Sequence, residues 1–433
     1  MSSSAAPTPG GYRRVSRATG GEGQPQLESG AMLTPATLAA ASGLIEATVD
    51  KHLADLLDIR RDLHAHPELA FAEHRTTALA VDRVSEAGWQ VTRHSATGLV
   101  AEIGNEGPLV ALRADLDALP VEDTTGDLWA STVAGVAHAC GHDVHTTALI
   151  GAALALAELH DQGTLGGRVR LLFQPAEETM PGGATMMIEQ GALRDVEAIF
   201  ALHCDPSLDV GTVGLRSGPL TGASDSLDVR LSGKGGHTSR PHLTQDLTFA
   251  LAKLITELPA VLSRRMDPRA GVSVSWGIVQ AGGAPNVIPA AGRVVGTVRM
   301  LDSVAWADSE GLVRELVDQI LAPYGVTAVV DYRRGVPPVV NEHGATQTLG
   351  AAIERVVGEA GHVPTSQSLG GEDFGWFVES VPGAMCRLGT RSPGGPTYDL
   401  HQGNLRIDEG AVPLGARVLA EAETRAESMG DQF

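Results

Sequence analysis

The stretch Val169-Arg-Leu-Leu-Phe173-Gln-Pro-Ala-Glu177-Glu178 decides the fold. Val169 to Phe173 reads as a buried strand, and two adjacent carboxylates follow its end. Working outward, Leu109 to Leu112 reads as a second buried strand and Ala148 to Leu159 as a helix. On the other side, Ala184 to Leu193 reads as a helix and Ile199 to Leu202 as a strand. Strands alternating with helices predict an α/β fold. Its sheet is mixed and mostly parallel, helices flank it, and its site lies at strand ends.

Between 223 and 334 the order changes. Ser226 to Leu231 alternates as a strand, Leu247 to Leu262 reads as a helix, and Val272 to Val279 and Val294 to Met300 as strands. Val304 to Leu321 reads as a helix and Ala328 to Tyr332 as a strand. The order β-α-β-β-α-β predicts an α+β ferredoxin-like unit inserted into the first domain. The catalytic domain is then 34–222 together with 335–433, where helical patterns return at Ala345 to Val357 and Ala411 to Ala426. Leu44, Ile45, Leu53, Leu56, Leu57 and Leu63 form a helical pattern after Thr34, a suitable N-cap, and Pro35. Residues 1–33 are rich in Ser, Gly and Pro and read as a disordered leader.

Composition narrows the function. The chain has 433 residues with a net charge of −20, a surface that repels phosphate backbones and argues against nucleic acid. Aromatic residues are only 4%, so the core rests on Ala, Val, Leu and Ile. The cysteines Cys140, Cys204 and Cys386 are too few for a disulfide framework. No apolar run approaches ~18 residues, so no membrane span is expected. With no N-terminal signal core in view, these features predict a cytoplasmic protein.

Metal-capable side chains concentrate at five places. His138-Ala-Cys140-Gly-His142-Asp143 puts a thiol and an imidazole two residues apart, on one side of an extended segment, able to hold a divalent ion. Glu177 and Glu178 project differently, so that one can bind metal while the other faces its water. His203 follows a strand, Asp115-Leu-Asp117 closes another, and His401 follows a loop rich in Gly and Pro. In the inserted unit, Gly233-Lys-Gly-Gly236-His237 presents a histidine on a loop. Asn286 lies in the turn Gly-Gly-Ala-Pro-Asn and Arg299 on the next strand, donors of the kind a substrate carboxylate needs.

Together these motifs resemble the aminoacylase-type metallopeptidase superfamily. More closely, they resemble the amidohydrolase branch with hippurate hydrolase, N-acyl-amino-acid amidohydrolases and indole-acetyl-amino-acid hydrolases. The resemblance runs from about Arg60 to about Ala420. It rests on Arg61-Asp-Leu-His-Ala-His66-Pro-Glu68, Leu112-Arg-Ala-Asp115-Leu-Asp117-Ala-Leu-Pro120, the Cys140-Gly-His142 stretch and Phe173-Gln-Pro-Ala-Glu177-Glu178. Further on it takes in Gly236-His237, Pro285-Asn286, Gly371-Glu372-Asp373-Phe374 and Leu400-His401.

The resemblance implies a zinc-peptidase-like catalytic domain with a lid and dimerisation domain. It implies two divalent metal ions, zinc or manganese before cobalt or nickel, bridged by Cys140 and completed by His142, Glu178, His203 and His401. Glu177 becomes the general base and Asp117 the residue that orients a ligand. His237 serves the partner subunit's site in a homodimer, and Asn286 and Arg299 hold the substrate. The expected reaction is hydrolysis of an N-acyl amino acid to a carboxylic acid and an amino acid. The alternatives are a dipeptidase or carboxypeptidase of the same superfamily, a carbamoyl- or amidino-hydrolase, and a non-catalytic binding protein on the same fold.

Overall fold

The computed structural model describes residues 35–93, 97–104 and 106–429. The leader expected over 1–33 and the cap expected at Thr34 lie outside these residues.

The main sheet has eight strands. Its spatial order is Gln90–Arg93, Leu99–Ile103, Arg168–Gln174, Leu109–Asp115, Ala198–Asp209, Gly383–Arg391, Val213–Leu215 and His362–Pro364. The four central strands, Arg168–Gln174 to Gly383–Arg391, run parallel, and the next strand on each side, Leu99–Ile103 and Val213–Leu215, joins them antiparallel. Leu109–Asp115 is buried at every position, as a parallel strand covered on both faces must be. One face carries Pro35–Lys51, His142–Asp161 and Ala411–Met429. Helix His142–Asp161 is alanine-rich and buried almost all round, so its neighbours come very close. A Cβ on Gly151 would stand 2.8 Å from the Ala416 Cβ. Small side chains thus take the place that aromatic residues hold in other cores. The other face packs Ala184, Met187, Phe374 and Phe377.

A second, antiparallel sheet has the order Ser273–Ala281, Ala291–Met300, Ala223–Ser232, Thr327–Val336. With helices Leu247–Arg265 and Ser303–Leu321 it has the expected element order β-α-β-β-α-β. Leu227, Val229 and Leu231 turn inward in alternation, against Leu251, Leu254 and Val313. Asp246 and Asp302 cap the two helices by accepting the amides of Phe249 and Ala305.

Several expectations need correction. The early helical pattern is two helices, Pro35–Lys51 and Leu53–Ala65, separated at His52. The helix expected at Ala184 to Leu193 ends at Glu189, before the left-handed Gly191. His203 lies inside its strand, which runs on to Asp209, rather than closing it. Cys140 and His142 are not in an extended segment. Gly141 has φ 89°, and His142 opens a helix, so a left-handed turn and not strand alternation brings the two ligands together. Among the described residues, no helix is long and apolar enough to cross a membrane.

Candidate metal centre

The ligand atoms of Cys140, His142 and His203 all lie within 4.8 Å of one another, and so do those of Cys140, Glu178 and His401. Cys140 belongs to both groups. Two adjacent donor sets therefore share one buried thiol.

The chain fixes which nitrogen each imidazole offers. His142 Nδ1 is 2.8 Å from the Asp117 carbonyl oxygen, which can only accept, so Nδ1 carries a proton and Nε2 is the nitrogen turned toward the site. His203 Nδ1 donates to the Cys204 carbonyl at 2.8 Å, and its Nε2 faces the Cys140 Sγ at 3.5 Å. His145 is different. Its Nδ1 meets the Asp115 carboxylate at 2.7 Å and its Nε2 accepts the Cys204 amide at 2.8 Å. Although Asp115, His142 and His145 form another close group, both His145 nitrogens are occupied and the residue is a brace. His401 has φ 62° and is held by its amide to the Ala139 carbonyl at 2.7 Å. Its Nε2 lies 3.2 Å from Glu178 Oε1.

Carboxylates hold the loop after strand Arg168–Gln174. Glu73 Oε1 accepts the Ala176 amide at 2.8 Å. Asp117 accepts the next two amides, Glu177 on Oδ1 at 3.0 Å and Glu178 on Oδ2 at 2.9 Å. Ala176 has φ 55°, a left-handed conformation that costs a residue with a Cβ about 1–3 kcal/mol. The three bonds stabilise that turn, and they set Glu177 and Glu178 on their separate courses. Ligand atoms of Glu177, Glu178 and His142 come within 4.8 Å of one another.

Beneath Glu177 lies a network that the sequence reading did not place. Arg113 is fully buried and pairs with Asp115 at 2.7 Å and with Glu372 and Asp373 at 3.0 Å each. Gln174 donates to Asp373. The sequence signal was an arginine inside the apolar run Leu109 to Ala114, since a buried charge needs partners. Burial, with Glu372, Glu178 and Asp373 nearby, pushes Glu177 well above the usual carboxylate range.

The donor set fits divalent cations. His142 Nε2 is buried without a hydrogen-bond partner. Burial works against a charged His142, yet Asp115 and Cys140 hold its proton and raise it well above its usual value. Hydrogen bonds to Cys140 and Glu178 raise His401 to about 10. Without an ion, protons gather on His142 and His401, which face the negative donors of the site. Sulfur, imidazole and carboxylate together suit zinc, manganese and their neighbours.

A cavity of about 300 Å³ opens here, lined by Cys140, Glu177, Glu178, His203, Arg299 and His401 among others. Arg299 therefore joins the site, with one guanidinium nitrogen donating to the Leu369 carbonyl. His237 and Asn286 do not line it. Both are exposed, and they sit side by side where Val287 pairs with His237. His237 Nδ1 accepts the Ser239 amide at 3.1 Å.

The model of peptidase family M20/M25/M40 matches residues 111–424. The chain belongs to this family. A Rhodococcus jostii (strain RHA1) protein named for a glutamate–cysteine ligase is 50% identical over 374 residues. That match covers 86% of this chain and only 46% of that protein, so the chain spans less than half of that relative. The N-acetyl-L-cysteine deacetylase of Bacillus subtilis (strain 168) is 38% identical over 382 residues, covering 88% of this chain and 89% of that one. A solved dinuclear metal-binding peptidase of the M20 family, also from Bacillus subtilis, superposes with a TM-score of 0.75. Its identity is 34%, and the match covers 86% of this chain and 97% of that one. The chain is a hydrolase of the peptidase and amidohydrolase class and stands with the amidohydrolase branch.

Proposed function

We propose that this chain is a metal-dependent amidohydrolase that cleaves N-acyl amino acids to a carboxylic acid and a free amino acid. The observation that carries the reading is the thiol of Cys140 shared by two donor groups, with Glu177 beside them. Cys140, His142, Glu178, His203 and His401 would hold two divalent ions, zinc or manganese before cobalt or nickel. Such ions supply Lewis acidity and acidify water. The chain's own residues do the rest. Glu177 takes a proton from the attacking water on its carboxylate and returns it to the leaving nitrogen. Its raised proton affinity suits both halves of that exchange. Asp117 keeps the Glu177–Glu178 turn and His142 in one orientation. Arg299 takes the substrate's carboxylate, and Asn286, beside His237, contributes from the neighbouring copy of the chain.

In the same reading, 34–222 and 335–433 form the catalytic domain and 223–334 a lid through which two copies pair. His237 then reaches the partner subunit's site and steadies the developing oxyanion. Its exposure and its distance from the cavity of its own chain support this. Its three cysteines, all free and buried, agree with a cytoplasmic setting.

The test is amino-acid release from N-acetyl, N-benzoyl, N-lauroyl and indole-acetyl amino acids and from plain dipeptides, before and after loading with manganese or zinc. Metal-dependent cleavage of an acyl class is expected; cleavage of dipeptides alone moves the chain to the peptidases, and silence throughout favours a binding protein. For the shared site, H237A and E177Q chains are each expected to be nearly inactive and to recover activity on mixing. No recovery contradicts the role of His237.

A further inference from the structure

We propose that Arg387 anchors a second carboxylate on the substrate, so that this enzyme prefers N-acyl amino acids carrying two carboxylates over those carrying one. The inference rests on the amidohydrolase reading above and narrows its substrate class.

Arg387 lies on strand Gly383–Arg391, directly beside His203 in the parallel register. Register partners on neighbouring strands present their side chains to the same face of the sheet. His203 turns its Nε2 to the Cys140 thiol at 3.5 Å, so this is the face of the metal centre. Arg387 lines the cavity of about 300 Å³ that holds the metal ligands. It also lines a neighbouring cavity of about 650 Å³, and it shares that boundary position with Ser368 and Leu400. Arg387 therefore lies on the boundary between the two cavities.

Among the described residues, no hydrogen bond or ion pair engages this guanidinium. The residue is nonetheless half-buried. Arg391, on the same strand, is paired with Asp209 at 2.6 Å. The carboxylates on the wall of the larger cavity are otherwise engaged: Asp205 accepts the Ser207 amide and hydroxyl, and Asp399 accepts the Leu400 amide. The planar guanidinium matches a carboxylate in bidentate geometry.

Arg299 lines the first cavity and is the candidate for the α-carboxylate, which leaves Arg387 for another one. The larger cavity is walled by Ser366, Gln367, Thr397 and Asn404, a polar surface that favours a charged or hydrogen-bonding group over a long alkyl chain. The second carboxylate can come from the acyl half, as in N-succinyl amino acids, or from the amino-acid side chain, as in N-acyl glutamate.

The experiment compares kcat/KM for two matched pairs on the metal-loaded enzyme. These are N-succinyl-leucine against N-pentanoyl-leucine, and N-acetyl-glutamate against N-acetyl-glutamine. The wild type is expected to favour the dianionic member in at least one pair, and that pair locates the carboxylate. In Arg387→Met this preference is expected to fall about 10- to 100-fold, mainly through KM. Arg387→Lys keeps an intermediate preference. A preference unchanged in Arg387→Met, or no dianionic preference in either wild-type pair, overturns the proposal while leaving the hydrolase intact. Failure of the wild type to cleave all four compounds and N-acetyl-leucine overturns the amidohydrolase reading itself.

Discussion

Asp117 uses all three of its oxygens on the centre. Its carboxylate receives two successive amides and its carbonyl fixes the tautomer of His142. None of this depends on Asp117 touching an ion. Titration at His138 follows the same logic of local surroundings. This histidine is 2% exposed, both its ring nitrogens lack partners, and burial lowers it to about 4. The folded pKa lies below the unfolded value of about 6.5. Stability from the neutral imidazole is therefore complete above pH 6.5. It drains away as pH falls from 6.5 to about 4, by up to about 3 kcal/mol. His64, raised by Asp143 and Asp123 against its own burial, works in the opposite direction as acid is added. The melting temperature of chelator-treated wild type is expected to drop more steeply from pH 7 to pH 4 than that of His138→Asn. Parallel curves would contradict this. Among single residues, Cys140, His142, Glu177, Glu178 and His203 were legible because short motifs carried them. Arg113 and His145 were not, because their work is done by partners far away in sequence, such as Asp373 for Arg113.

At the scale of elements, the turn before helix His142–Asp161 is the feature the site depends on. Gly141 has φ 89°, and a Cβ there would meet Cys204 Sγ at 2.9 Å and Ile407 Cδ1 at 2.9 Å. Gly141→Ala is expected to lower stability by about 1–3 kcal/mol and to weaken metal binding. Thermal melting and a chelator competition would check this, and an unchanged pair of values would show that the left-handed turn is dispensable. The buried strands at 109, 169 and 198 were readable from continuous apolar runs, and the second sheet from alternation at Leu227, Val229 and Leu231. Strand Gly383–Arg391 is not legible in the sequence, although it is one of the parallel strands of the main sheet. Its residues Gly-Ala-Met-Cys-Arg-Leu-Gly mix small and charged side chains, and neither period 2 nor a branched run marks them. Neighbours, not local propensity, make it a strand.

At the scale of the whole molecule, a concentration of negative charge meets its counter-charges. A chain of net charge −20 gathers Glu177, Glu178, Asp115, Asp117, Glu372 and Asp373 around a thiol and three histidines. Arg113 offsets part of that charge from below. Divalent ions held by Cys140, His142, Glu178, His203 and His401 would offset more of it, and Arg387 stands at the boundary of two cavities. The separation into a mostly parallel sheet beside the donors and an antiparallel sheet that carries Arg299, with His237 and Asn286 at a small separate strand pair, follows a change of element order near 223. What the order could not show was that His237 and Asn286 stand apart from the cavity of their own chain, because that depends on where one sheet places its edge loops.

The central claim is a two-ion centre served by Glu177 as base, and titration of the metal-free chain with manganese or zinc tests it most directly. Bound metal and release of amino acid from N-acetyl-leucine are followed together, for wild type and Glu177→Gln. The account predicts that wild-type activity rises until two ions are bound per chain. It predicts that Glu177→Gln binds the same two ions with turnover lower by about 10²- to 10⁴-fold. Full activity without metal, saturation at a single ion, or undiminished turnover in Glu177→Gln would contradict it.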